Sequence, residues 1–190
     1  LLCISDDEMV SFIQNIHTKR NQMVIAPSNQ NLSWVHFSGA LQTPLAYGIH
    51  PLMTFSNALY SFEVYKKIPL MFTEEVPKHL LADWPNKRYQ IPAEQKILYH
   101  AWCALVGNGT SLLWHKFESF LEDELGLPRE LAKPYCQKIL ANGLEGTQSS
   151  LTGPMARGDK KTIEKHQNAL GDSPQGQLYQ AMCSLYREGE

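Results

Sequence analysis

A histidine and a serine–glycine pair each follow a short apolar run in the first half of the chain. Ser38-Gly39 comes directly after residues 34–37, and His50 is held by the proline that follows it. In open α/β sheets, ligands bind beyond the carboxyl ends of the strands, and a glycine there lets a ligand approach the backbone. Histidine is the usual general acid or base near neutral pH. The pattern predicts either a ligand site with acid–base chemistry, or an ordinary strand-to-loop turn beside a structural histidine.

Three polar residues recur at multiples of four in an otherwise apolar segment. Lys96 and His100 are four residues apart, and Asn108 follows eight residues after His100. At 3.6 residues per turn, such neighbours share one face of a helix. Polar side chains on an apolar helix need partners or water, so they form either a satisfied structural seam or a wall of a wet site.

A glycine- and proline-shaped loop at residues 151–159 holds a third group of polar side chains. Thr152, Arg157 and Asp159 lie within eight residues of one another and are able to position an anion or a carboxylate. The alternative is that Arg157 pairs with Asp159 while Asp159 caps the helix that follows. His166 lies on that following helix, where a structural or exposed role is expected.

Composition excludes several other classes of site and partner. The formal net charge of the 190-residue chain is −2, which argues against a nucleic-acid binder. The four cysteines are far apart, so the sequence predicts neither a zinc site nor a disulfide framework, and reduced thiols are expected. No apolar run reaches the roughly 20 residues of a membrane span. A cytoplasmic protein without a membrane partner is therefore expected.

The spacing of apolar residues divides the chain into an α/β part at residues 1–91 and an all-α part at residues 92–190. A helix is predicted from Asp6 onward, because acidic residues open it and an apolar stripe follows. Strands alternate with this helix and with loops, which favours a largely parallel sheet. The predicted strands are residues 1–4, 23–25, 34–37, 49–52, 62–65 and 69–72.

The second part begins with one long predicted helix at residues 93–125, which ends at Gly126. Gly107 and Gly109 would lie in its middle, which suggests close packing against another backbone or a kink. Three further helices are predicted at residues 129–144, 160–170 and 174–187. Asp159 and Ser173 are the expected caps of the last two.

Taken in order, these segments resemble a family of Rossmann-like proteins assigned as NADP-dependent oxidoreductases, whose helical C-terminal part is a domain of unknown function (number 2520). The resemblance rests on motifs spread over nearly the whole chain, and the last long one is the most specific. The matching segments are residues 5–7, 35–41, 50–55, 99–101, 151–159 and 185–187, with Asn108 and His166.

The resemblance implies a Rossmann-like lobe that binds NADP and a helical lobe that completes the substrate cleft and a homodimer interface. The family is similar to the 6-phosphogluconate and β-hydroxyacid dehydrogenases, in which a helix of the second lobe carries Lys-x-x-x-Asn. Asn108 occupies the asparagine position here, whereas the lysine position is Ala104. His100 then becomes the nearest proton donor. By resemblance, hydride transfer to or from a small molecule is expected, with Ser38 and Gly39 at the cofactor.

His50, His100 and Asn108 are the expected catalytic residues, and Lys96, Thr152, Arg157 and Asp159 the expected substrate or interface residues. The chain departs from the family at its start, where residues 1–4 resemble the fourth strand of the lobe. The preceding roughly 60–70 residues of the family pattern, with the glycine-rich pyrophosphate turn, have no counterpart here. Either a fragment or a lineage without that turn is expected. The alternative function is a non-catalytic dimeric binding or scaffold protein with a vestigial lobe.

Overall fold

The computed structural model describes residues 5–22, 33–77, 79–145 and 151–188. The predicted strands at residues 1–4 and 23–25 lie outside this part of the chain. Contacts group the chain into two compact units, residues 1–113 and 114–190. That division falls inside the long helix, because the first turns of the helix pack on the sheet. The predicted domain boundary at residues 91 and 92 marks a change of secondary structure and stays a prediction.

A four-stranded sheet in the order β1–β2–β3–β4 forms the centre of the first unit. β1 (Val35–His36) and β2 (Tyr47–Pro51) are parallel, with Val35 opposite Tyr47. β3 (Leu70–Phe72) runs antiparallel to β2, and β4 (Arg88–Gln90) runs parallel to β3. Two of these three pairings are parallel, so the predicted fold class, a largely parallel sheet followed by helices, is confirmed.

The sheet and the first helix are held by two small apolar clusters. α1 (Asp6–Gln22) begins with acidic residues near the positive end of its dipole, and it buries Met9 and Ile13 against Ala46. The second cluster consists of buried residues from three strands. These are Val35, Ile49, Leu70 and Phe72. Each of these residues is at most 6% exposed, so together they form the packed core of the sheet.

The segment at residues 62–65 was predicted as a strand, and this prediction is wrong. It forms a one-turn helix, α2 (Phe62–Tyr65), whose amide groups from Val64 and Tyr65 donate to the carbonyl oxygen of Ser61. A four-residue apolar run fits either structure, and no residue of α2 is buried to select a strand face. β3 pairs instead with β4, whose three residues are exposed and carry no apolar alternation.

The long helix is confirmed, although its ends differ from α-helical geometry. α3 (Lys96–Ser119) follows a single tight turn at Ala93–Gln95 and continues into a wider turn at Phe120–Glu124. Close packing at the central glycines does not occur within the described part of this chain, and the alternative of a kink stays a prediction. The space beside Gly107 is open, and beside Gly109 only a side chain of the same helix approaches.

The second unit contains α4 (Ala132–Leu144), α5 (Lys160–Leu170) and α6 (Pro174–Glu188). All three lie within a few residues of their predicted bounds. The carboxylate of Asp159 accepts from the backbone amide of Thr162 at 3.1 Å, and the Ser173 hydroxyl accepts from the amide of Gly176 at 3.1 Å. Both predicted caps are therefore confirmed. Cys136 and Cys183 are buried free thiols.

Within residues 5–22, 33–77, 79–145 and 151–188, every helix is too short or too polar to cross a bilayer.

Candidate functional site

The first turns of α3 lie against the ends of β1 and β2, and this contact brings together residues that are far apart in sequence. Gly39 is buried under the imidazole of His100, so a side chain at position 39 would overlap that ring. The rings of His50 and His100 lie edge to face, with centroids 5.3 Å apart. Two histidines that the sequence offered as separate candidates therefore form one cluster beside a glycine.

His50 is held by the phenol of Tyr99. Its Nδ1 lies 2.9 Å from the Tyr99 hydroxyl oxygen, and the two rings meet nearly at right angles. Burial is the main cause that lowers the pKa of His50 from 6.5 to about 4, and the neighbouring His100 and Lys96 lower it further. His50 is therefore neutral at pH 7, with one ring nitrogen that donates and one that accepts.

Tyr99 is a site residue that the sequence interpretation did not select. Burial, followed by a hydrogen bond with Cys103, raises the pKa of Tyr99, so its hydroxyl keeps its proton at neutral pH. A phenol of this kind is able to donate to Nδ1 of His50, which would leave the proton of the imidazole on Nε2. In the sequence, the one indication of this role was that Tyr99 lies next to His100 and three residues after Lys96.

Lys96 is a buried cation one turn before His100. Its side chain is 3% exposed, and Nζ donates to the carbonyl oxygen of Leu41 at 2.5 Å. Gly48 makes room for it, because a methyl group there would lie 2.8 Å from Nζ and 3.2 Å from Nε2 of His36. Burial lowers the pKa of Lys96, whereas the carboxylates of Asp6 and Glu74 raise it.

His36 is the second buried member of the Lys96 neighbourhood and is 1% exposed. Its Nδ1 accepts from the backbone amide of Ser38 at 3.2 Å. Burial is the first cause that lowers the pKa of His36 to about 4, Lys96 lowers it further, and Asp6 opposes the shift. At neutral pH, His36 is therefore a neutral imidazole beside the buried side chain of Lys96.

The Ser38 hydroxyl holds the loop after β1. It donates to a carboxylate oxygen of Asp6 at 2.6 Å and accepts from the amide groups of Ala40 and Leu41 at 3.1 and 2.8 Å. These bonds fix the turn that places Gly39 under His100. The role of Ser38 and Gly39 toward a cofactor stays a prediction.

Asn108, predicted to join the catalytic group, is an exposed residue of α3 two turns beyond His100. The hydrogen bonds of the described part include none from its side chain. The seam is therefore divided: Lys96 and His100 face the sheet, and Asn108 does not accompany them.

Thr152 and Arg157, in the loop of the second unit, are both exposed. The carboxylate of Asp159 is engaged as the cap of α5, where the Thr162 hydroxyl donates to it at 2.7 Å and is the main cause that lowers its pKa. His166 likewise bonds to Tyr179 on the next helix, with Nδ1 2.9 Å from the phenol oxygen. Asp159 therefore caps α5 as the structural alternative predicts, but the ion pairs of the described residues do not include one between Arg157 and Asp159. His166 has the structural contact that was expected.

Metal binding finds no support in the geometry. Across residues 5–22, 33–77, 79–145 and 151–188, no three side chains from His, Cys, Asp or Glu converge as metal ligands would.

A protein-family model matches residues 73–185, which is more than half of the chain. It describes a domain of unknown function, DUF2520. The chain belongs to the DUF2520 family. The matched region begins after β3 and includes Lys96, Tyr99 and His100, whereas His50 and Gly39 precede it. The cluster thus joins the DUF2520 region to the sheet that comes before it.

Solved structures share the fold of this DUF2520 protein. A protein of Bacteroides fragilis, named putative NADP oxidoreductase BF3122, aligns over 92% of this chain and 72% of its own, with 19% identity and a TM-score of 0.66. Protein TM1727 of Thermotoga maritima aligns over 92% of this chain and 74% of its own, with 25% identity and a TM-score of 0.65. A comparison with curated proteins found no significant match. The chain therefore has a partial Rossmann-like lobe followed by a helical region.

Proposed function

We propose that this DUF2520 protein is an oxidoreductase that transfers a hydride between a nicotinamide cofactor, NADP by resemblance, and a small carbonyl or alcohol substrate. The observation that carries the proposal is the half-buried cluster of His50, Tyr99 and His100 beside Gly39. The name of the similar Bacteroides fragilis protein supports the same class of reaction.

The chemistry of this donor set fits the reacting end of a nicotinamide site. When bound, the cofactor supplies or accepts the hydride. Reduction of a carbonyl group also needs a proton at the substrate oxygen. As the Nε2 hydrogen of neutral His50 passes to that oxygen, Nδ1 takes the hydroxyl proton of Tyr99, so the imidazole stays neutral and the phenolate regains a proton from water. Tyr99 orients His50 for this task by donating to Nδ1, and His100 lies close enough to take part. No residue of the described ranges is assigned to the pyrophosphate.

Calorimetric titration with NADPH tests this function. Saturable binding is expected, and His100→Ala should weaken it because the imidazole covers the glycine at the site. His50→Gln should leave NADPH binding nearly unchanged, since glutamine keeps a donor but cannot transfer a proton at neutral pH. His166→Ala is the matched control, since its imidazole bonds to Tyr179 in the second unit. Absence of binding at millimolar NADPH would contradict the proposal.

A homodimer through the helical part remains our proposal for the partner of this chain. Support comes from large apolar side chains of α3 that are more than half exposed. These are Ile97, Leu98, Trp102, Leu105, Val106 and Leu112. Apolar surface exposed to this extent is uncommon on monomers and is typical of protein interfaces. The same exposed surface is the observation that favours the alternative function, a non-catalytic dimeric binding or scaffold protein.

Sedimentation velocity tests the dimer, and together with the NADPH titration it distinguishes an oxidoreductase from a non-catalytic scaffold. Trp102→Glu should shift a dimer to monomer, whereas Ser111→Glu, which places the same charge at an exposed polar position of α3, should not. A dimer that binds no NADPH would favour the scaffold alternative. A wild-type protein that sediments as a monomer at micromolar concentration would refute the dimer.

A further inference from the structure

A cavity of about 780 Å³ opens beside His50 in the first unit. This volume lies within the range of small-molecule sites. Five aromatic side chains contribute to its wall. They are Phe37, Phe55, Phe62, Tyr65 and Trp84.

The aromatic wall is anchored to the sheet. Trp84 stacks on Phe37, with ring centroids 6.1 Å apart and planes inclined by 28°. Ile68 and Leu70, which also line the cavity, are 3% and 2% exposed. Because these residues belong to the packed core, that side of the cavity is preformed. A flat apolar group that enters it therefore needs little rearrangement of the protein.

Lys66 and Asn86, two polar residues of the wall, already have partners within the protein. Lys66 lies 2.7 Å from the carboxylate of Glu63, and its ammonium group lies 5.4 Å from the centre of the Phe62 ring. Asn86 donates to two backbone carbonyl oxygens, at 2.6 and 2.9 Å. The remaining charge at the wall is the carboxylate of Asp83, which disfavours an anion. The cavity therefore suits an uncharged group.

Among the residues that the structure describes, His50 contributes to the wall an imidazole whose second ring nitrogen makes no hydrogen bond to the protein. His50 lines the cavity, and its Nδ1 is held by Tyr99, which leaves Nε2 for a ligand. A ligand whose aromatic ring fills the cavity would thus place a carbonyl or alcohol oxygen next to the imidazole. The Nε2–H group of His50 would donate a hydrogen bond to that oxygen.

We infer that this cavity binds the uncharged aromatic group of the substrate, an aryl-substituted ketone, aldehyde or alcohol whose oxygen faces His50. The inference rests on the proposed function for the identity of the reacting group. It goes further in naming the part of the molecule that gives binding energy and selectivity.

Binding of benzylacetone, a neutral aryl ketone, tests the inference. The readout is the indole N–H resonance of Trp84 among the four tryptophans, assigned with Trp84→Phe. A saturable shift confined to Trp84 is expected. Phenylbutyrate, which has a similar aryl chain with a carboxylate, should bind at least about tenfold more weakly, because its charge loses water in the apolar cavity and is repelled by the carboxylate of Asp83. Methyl propyl ketone, which lacks the ring, should not saturate.

A matched pair of variants checks the location. Met53→Tyr enlarges a residue of the wall that is 38% exposed and should weaken binding and change the shift, whereas Leu59→Tyr, at a residue that is 89% exposed and outside the wall, should preserve both. Equal binding of ketone and carboxylate, or an unchanged response in Met53→Tyr, would overturn the inference. The titration needs no cofactor. Binding of benzylacetone without binding of NADPH would therefore refute the proposed function alone, and the reverse result would refute the cavity assignment alone.

Discussion

His36 makes the first unit sensitive to acid, and the size of the effect follows from its burial. The imidazole is 1% exposed, and its pKa is lowered from 6.5 to about 4. The unfolded chain therefore takes up a proton near pH 6.5, while the folded chain resists protonation until about pH 4. The stability that depends on neutral His36 is present above pH 6.5 and is lost as the pH falls toward 4.

The expected magnitude comes from the difference in proton binding. One pKa unit corresponds to about 1.4 kcal/mol, so the lowering of the His36 pKa from 6.5 to about 4 amounts to roughly 3 kcal/mol when fully developed. At pH 5 roughly 2 kcal/mol of this is already lost relative to pH 8. The pKa of His50 is also lowered, so His50 adds to the stability that is lost in acid.

Urea unfolding at pH 8 and pH 5 measures this loss. His36→Asn should reduce the difference between the two pH values by roughly 2 kcal/mol, because asparagine cannot be protonated in this range. Its side-chain oxygen is still able to accept from the amide of Ser38, as Nδ1 does now. His115→Asn is the control, since the side chain of His115 is 80% exposed. If His36→Asn lost as much stability between pH 8 and 5 as the wild type, the reasoning would be refuted.

Four further substitutions probe two glycines and the cap of α5. Gly39→Ala should destabilise the first unit by about 1–3 kcal/mol in chemical unfolding and shift the NMR signals of His100, since the new methyl group overlaps that ring; a neutral effect would contradict the packing. Gly107→Ala should stabilise α3 by up to about 1 kcal/mol, because open space surrounds this position, and a loss would reveal a hidden contact. Asp159→Ala should lower the melting temperature of the second unit, while Asp159→Asn should largely retain it, since both side chains cap the amide of Thr162; equal losses would exclude the cap.

Periodicity and end signals were sufficient to predict most of the fold. The stripe of α1 and the apolar spacing of α3 report burial at helical intervals, and the side chains of Asp159 and Ser173 mark helix starts by a local hydrogen bond. These features depend on neighbours within a few residues, so a sequence reveals them. α2 has four residues and buries none of them, so nothing in its pattern separated a turn of helix from a strand.

The site was less accessible to the same reasoning because its contacts join distant residues. His50 and His100 were each selected for the chemistry of imidazole, but only the packing of α3 on the sheet brings their rings to 5.3 Å. Tyr99 acquires its role from that contact, which no spacing rule contains. Conversely, Asn108 satisfied the spacing, but it is exposed and away from the cluster. A residue's place on one helix therefore did not predict which neighbours it meets.

The central claim is that the cluster of His50, Tyr99 and His100 is the reacting end of a nicotinamide site. A titration of the chain with NADPH, followed by NMR signals of the imidazole groups and of the Gly39 amide, tests it most directly. Saturable shifts are expected at His50, His100 and Gly39, with His166 in the second unit unaffected, together with a signal from neutral His50 that carries its proton on Nε2. Saturable shifts confined to other residues, or no shifts at millimolar NADPH, would contradict it.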